Sequence, residues 1–117
     1  MKNNIQEKSF QFAIRIVNLC KLLRTERKEY TLSNQLLRSG TSIGANIREA
    51  KYAHSKADFA AKLQIALKEC YETEYWLELL YESEYLNQCE FDSIYTDCQE
   101  LMKLIVASTK TLQGKSS

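Results

Sequence analysis

The chain has 117 residues, no proline, three glycines and a near balance of sixteen Lys/Arg against fifteen Asp/Glu. That length suits one domain with one core, and so little Gly and Pro excludes a turn-rich β domain. No window approaches the roughly 18 apolar residues of a membrane span, and MKNNIQEKSF lacks the apolar run of a secretory signal, so a cytoplasmic location is expected.

The first helix is expected over roughly 4–27, where Asn4-Ile5-Gln6-Glu7 makes a capping-box-like start. Ile5, Ser9, Phe12, Ile16, Leu19 and Leu23 then recur at four- and three-residue steps. A second helix over roughly 31–53 carries Leu36, Gly40, Ile43, Ile47 and Ala50 on one face. The third, over roughly 55–85, starts at Ser55 with Asp58 in its first turn and has its seam at Phe59, Leu63, Ala66, Cys70, Leu77 and Tyr81. The fourth, over roughly 88–113, follows the Asn87-x-x-Glu90 cap spacing and aligns Phe91, Ile94, Cys98, Leu101, Ile105 and Leu112. The tail Gly114–Ser117 reads as frayed. Four amphipathic helices joined by short polar links predict an all-α, antiparallel up-down four-helix bundle, one domain over residues 1–117.

Two of these helices are apolar on a second side. Phe10, Ile14 and Val17 align on the first, and Ile65, Trp76 and Leu79 on the third. A monomeric bundle helix needs one stripe, so these six residues are the expected contact of an oligomer. The plainer reading is scattered surface hydrophobes, which are ordinary on folded proteins.

Inside the second helix, Gly40 and Gly44 stand four residues apart. Each costs about 1 kcal/mol against Ala in a helix interior, so close approach of another backbone is their expected purpose. Arg38 and Arg48 on the same helix exclude a membrane-dimer reading of this spacing. The run QLLRSGTSIGANIREA, followed by SKADFAAKLQIALKECYETEYWLELL and then EFDSIYTDCQELMKLI, resembles the family called S23 ribosomal protein, or 23S rRNA intervening-sequence protein. That resemblance covers nearly the whole chain. It implies a small bacterial bundle that assembles as a ring-like homopentamer. Some members are encoded inside insertions of large-subunit rRNA genes; the family name reflects gene location and implies no ribosomal role. A more distant likeness in shape is to the basic accessory protein of diversity-generating retroelements, which works with a reverse transcriptase and nucleic acid. The family has no agreed catalytic residues to carry onto these positions.

The residues offer little for catalysis. His54 is the sole histidine, and the residue three before it is Lys51, so the Glu-x-x-His pairs of carboxylate-bridged metal bundles are absent. No Gly-rich phosphate loop follows a strand. The four cysteines, Cys20, Cys70, Cys89 and Cys98, contain no C-x-x-C pair and read as reduced thiols, with Cys70 and Cys98 on apolar seams. No catalytic residue, metal, cofactor or small-molecule substrate is therefore expected.

Three polar features remain. Glu74 falls near the core seam of the third helix and is expected to act as a polar lock, satisfied by Thr41, Ser42, Asn46 or Arg48, unless it slides to the rim and meets water. Arg38, Arg48, Lys51, Lys56 and Lys62 surround the corner between the second and third helices, near Tyr52 and His54, and could neutralise phosphates of RNA or DNA. Residues 69–100 hold ten acids and no Lys or Arg, whereas residues 1–68 hold thirteen Lys/Arg and five Asp/Glu. Such asymmetry suits either an anionic partner or complementary surfaces that meet in an assembly. Two functions follow: a non-enzymatic, cyclic homo-oligomeric accessory protein that binds RNA or DNA, or a protein-interaction scaffold with no nucleic-acid role.

Overall fold

The computed structural model describes the backbone of residues 4–116 and the side chains of residues 5–110. Its elements are α1 (Asn4–Thr25), α2 (Thr31–Lys51), α3 (Lys56–Glu82) and α4 (Gln88–Ser116), with no strand among the described residues. At 1.5 Å per residue α4 spans roughly 43 Å, so the helices lie along the 49 Å axis of a body only 23 by 21 Å across. Side-chain links fix their sense. Glu49 of α2 meets Lys62 of α3 while the earlier Ser39 meets the later Thr73, and Tyr81 of α3 stacks on Phe91 while the earlier Cys70 meets Cys98. Arg15 of α1 reaches Asp97 of α4, whereas the later Arg27 reaches Glu90. Each helix thus runs antiparallel to its neighbours in an all-α four-helix bundle.

The helix ends are set by chemistry of two kinds. Ser55 caps α3 by accepting from the Asp58 N–H at 3.1 Å, as its position predicts. At α4 the Asn87 side chain accepts from the Glu90 N–H at 2.8 Å while Glu90 accepts from the Asn87 N–H at 2.9 Å, a reciprocal capping box. The start of α2 uses a different device. Glu29, itself buried, reaches forward so that its carboxylate accepts from the N–H groups of Thr31 (3.1 Å), Leu32 (2.8 Å) and Ser33 (2.7 Å). A carboxylate there satisfies orphan donors and complements the positive end of the helix dipole. The cap expected at Asn4 and the seam residue Leu112 lie outside the described side chains.

Three helices stop two or three residues short of the expected ends. After α1 the chain turns through Lys28 at φ 57°, and after α3 through Glu84 at φ 69°. At Glu84 the N–H groups of residues 84 and 85 bond back to the carbonyls of Tyr81 (3.0 Å) and Leu80 (2.8 Å), a Schellman closure. Glycine normally occupies that left-handed position, so a Lys and a Glu there leave no stop signal to read. In α4 the helix instead continues to Ser116, past the expected end and into the tail read as frayed.

Most of the expected seam residues form the core, while Ile5, Leu19, Phe59, Tyr81 and Phe91 are half-buried against it. Phe12, Ile16, Leu23, Leu36, Ile43, Ile47, Leu63, Leu77, Ile94, Leu101 and Ile105 are all buried, and Ser9 is buried with them. Cys20, Leu80 and Leu86 join this core beyond the expected set. Where α1 meets α2, space is the controlling quantity. A Cβ on Gly40 would lie 2.8 and 2.9 Å from two carbons of the buried Ile16, and one on Gly44 would lie 3.3 Å from the Ser9 carbonyl oxygen. The two glycines therefore let α1 settle directly on the backbone of α2.

Between α2 and α3 the contact is polar at its centre. Thr73 donates its hydroxyl to Ser39 Oγ at 2.9 Å, and both residues are fully buried. Ser39 in turn lies 3.5 Å from the Leu36 carbonyl oxygen. A buried pair of hydroxyls is favourable only while each has a partner, so it holds one helix register against others.

Two stability measurements check these contacts. Gly40→Ala gains the helix propensity of Ala, about 1 kcal/mol, but overpacking typically costs 1–3 kcal/mol, roughly, so urea denaturation should show net destabilisation. In a double-mutant cycle with Ile16→Ala, the Gly40→Ala penalty should vanish, because the clashing atoms are gone. In the same assay Thr73→Val and Ser39→Ala should each cost about 1–3 kcal/mol, while the double variant, with no stranded hydroxyl, should recover most of the loss.

Candidate functional site

The basic corner forms where α2 ends and α3 begins, yet its five cations are not equivalent. Arg38 lies well down the bundle and is held by Glu72, with Glu69 at 3.5 Å. Lys62 pairs with Glu49 at 2.8 Å. Arg48 places its guanidinium 5.8 Å from the centre of the Phe10 ring. Lys51 lies over the ring of Tyr52 at 5.5 Å, and that tyrosine is 69% exposed. Lys51 and Lys56 have no ion-pair partner among the described residues. Only part of the expected set is thus available to an outside anion. His54 is exposed beside them, and its backbone N–H bonds to Asp58 at 3.3 Å.

Four of the ten acids in residues 69–100 meet basic residues of the same chain. Besides Arg38 with Glu69 and Glu72, Arg15 pairs with Asp97, and Arg27 grips Glu90 through two bonds of 2.8 and 2.7 Å. Arg27 also donates to the Tyr85 carbonyl at 2.8 Å. It thereby ties the α1–α2 link to the α3–α4 link and to the cap of α4. The ion pair lowers the Glu90 pKa below its ordinary value, chiefly through the hydrogen bonds from Arg27.

Folding converts the asymmetry along the chain into asymmetry along the bundle. At the end holding the α2–α3 corner, residues 4–14, 42–68 and 103–110 carry eight Lys/Arg and three Asp/Glu. Toward the other end, residues 15–41 and 69–102 carry six Lys/Arg and twelve Asp/Glu. The basic end includes Lys68, Lys103 and Lys110, all exposed and outside any ion pair among the described residues. Sequence reasoning passed over these three. A signal was present, since Lys103 and Lys110 are seven apart and so share one face of α4 across two turns.

Glu74 is half-buried on the side of α3 that faces α4, where it is hydrogen-bonded to Gln99; burial raises its pKa despite that bond. Its expected helix 2 partners are otherwise engaged. Thr41 and Ser42 donate to carbonyls of their own helix at 2.7 Å, Asn46 donates to the Ser42 carbonyl at 2.9 Å, and Arg48 covers Phe10. The buried polar link between α2 and α3 is instead made one residue earlier, by Thr73 with Ser39. Next to Glu74, Glu78 accepts a 2.5 Å bond from the Tyr95 hydroxyl, which raises the tyrosine pKa.

The six apolar residues expected at a subunit contact flank α2 on both sides. Phe10 (53% exposed) and Ile14 (40%) stand out from α1, with Val17 half-buried beside them. Phe10 lines a groove of about 410 Å³ with Ala13, Gly44, Ala45 and Arg48, open because the α2 side chains there are small. On α3, Ile65 is 42% exposed, and Leu79 and Trp76 are half-buried. Trp76 packs against the core and donates its indole N–H to Glu72 at 2.9 Å. These α3 residues share a stripe with Glu69 and Glu72, the two that reach Arg38 of α2. The two stripes thus border one broad face centred on α2.

The thiols are free: Cys20, Cys70 and Cys98 are buried and Cys89 is exposed. Burial pushes the Cys20 thiol up to about 11. Cys98 is also raised, by its contact with Cys70 and by burial, which disfavours the reactive thiolate. Among the described residues no group of three or more His, Cys, Asp and Glu could hold a metal ion, and no helix is long and apolar enough to cross a membrane.

With this architecture the chain compares closely with known proteins. A crystal structure of a protein of unknown function from the S23 ribosomal protein family of Bacteroides thetaiotaomicron VPI-5482 is 57% identical. The match covers 91% of this chain and 98% of that one, with a TM-score of 0.90. No curated protein matches this chain. The family model described as 23S rRNA-intervening sequence protein matches residues 1–107. On that match and that identity, the chain belongs to the 23S rRNA-intervening sequence protein family.

Proposed function

We propose that this protein is a non-enzymatic, self-associating cytoplasmic bundle whose basic end contacts RNA or DNA. The observation that carries the nucleic-acid half is the gathering of eight Lys/Arg against three Asp/Glu at one end of the bundle. Lys51 and Lys56 lie there outside ion pairs among the described residues, next to the exposed ring of Tyr52. Cations of this kind release phosphate counterions, and an exposed ring can stack on an unpaired base.

Self-association rests on the exposed Phe10, Ile14 and Ile65 around α2. The family resemblance suggests a ring of five. In a ring the basic end would recur on each subunit, so weak contacts would act together. Arg48 over Phe10 belongs to both surfaces at once, so an assembly that covers Phe10 also removes Arg48 from any nucleic acid.

The second reading, a protein scaffold with no nucleic-acid role, is favoured by the pairing of Arg15, Arg27 and Arg38 with acids inside the subunit. Salt separates the two. Purified, nuclease-treated protein should bind structured or single-stranded RNA with an affinity that falls linearly on a log-log salt plot. Replacing Lys51 and Lys56 by Ala should weaken binding and flatten that slope, while Arg38→Ala should change it little. No binding even at low salt would leave the scaffold reading.

A further inference from the structure

On the flank away from the α2-centred face, Tyr71 of α3 and Met102, Lys103, Val106, Ala107 and Lys110 of α4 line an open groove of about 310 Å³. Its floor is apolar and its cations are both lysines without ion-pair partners among the described residues. Tyr71 is 53% exposed, and Tyr75, one helical turn on, is 57% exposed. The Tyr75 ring meets Trp76 edge-on at 4.9 Å, whereas the Tyr71 ring is not part of the core. Lys68 stands on the same outward face of α3, one residue short of a turn before Tyr71.

We propose that this groove binds single-stranded nucleic acid, with a base laid on the Tyr71 ring and the apolar floor and with phosphates against Lys103 and Lys110. The inference rests on the reading that the basic end binds nucleic acid, and it adds the strand class and the residues that select it. A duplex keeps its bases stacked on one another and presents no free face to a tyrosine. A single strand presents one at every nucleotide. Charge alone would serve either form, so the ring decides between them. The groove is also compatible with assembly, because it lies on the α3–α4 side and leaves Phe10, Ile14 and Ile65 free to meet another copy.

The test compares a labelled oligouridine with an RNA duplex of equal length by fluorescence anisotropy over a salt series. Tyr71→Ala should weaken oligouridine binding about tenfold and leave duplex binding unchanged, and Tyr71→Phe should retain the wild-type affinity. Tyr71 is exposed, so helix content by circular dichroism should not change in either variant. Lys103→Ala and Lys110→Ala should each lower the log-log salt slope for the single strand by about 0.7. Equal losses on duplex and single strand, or displacement by polyglutamate that matches displacement by unlabelled oligouridine, would overturn the assignment. Binding that depends on Lys51 and Lys56 but ignores Tyr71, Lys103 and Lys110 would overturn the groove alone. Absence of binding to either RNA would remove the nucleic-acid reading with it.

Discussion

Everything in this bundle depends on how closely α1 can approach α2. Gly40 gives way completely to Ile16, whose side chain occupies the place a Cβ would need. A helix pays conformational entropy for a glycine in its interior, and here close packing of a buried isoleucine is what offsets it. Gly44 likewise admits the Ser9 backbone of α1 to α2. Its outward residues are small where Thr41, Ala45 and Gly44 line the groove beside Phe10. The apolar stripes lie on α1 and α3, the two helices that flank α2. One packing constraint therefore shapes both the core and the outer face around α2.

Charge follows a comparable division between inside and outside. Opposite charges close the acidic end of the bundle: Arg27 with Glu90, Arg15 with Asp97, Arg38 with Glu72. Such surface pairs contribute little each, typically under about 1 kcal/mol, but Arg27 also joins two interhelical links and a helix cap. At the basic end Lys51, Lys56, Lys68, Lys103 and Lys110 have no such partners among the described residues. What is satisfied holds the fold, and what is left open faces outward.

The parts legible in the amino-acid order are those that depend on period and on short side-chain reach. Seams at three- and four-residue steps located the core, and the Ser55 and Asn87 caps located two helix starts. Glu29 escaped notice because it lies before the helix it caps and spans the distance with a longer side chain than Ser or Asn. Lys28 and Glu84 hid two helix ends because neither is the glycine that left-handed backbone favours. Glu74 faces α4 rather than α2, since a wheel drawn for one helix cannot say which neighbour its edge will meet. The same limit applies to the surfaces. Phe10 and Arg48 lie on different helices and were assigned to different surfaces, and only the fold brings the ring under the guanidinium.

In the proposed assembly the α2-centred face is covered by another copy of the chain. Sedimentation equilibrium of the 117-residue protein beside a Phe10→Ser, Ile14→Ser variant is the decisive test. Both positions are exposed in the subunit, so the variant should remain folded by circular dichroism. The wild-type mass should be a multiple of the 13.6 kDa chain, and the variant should fall to the mass of one chain. A wild-type protein that sediments as a single chain, or a variant that keeps the wild-type mass, would contradict it.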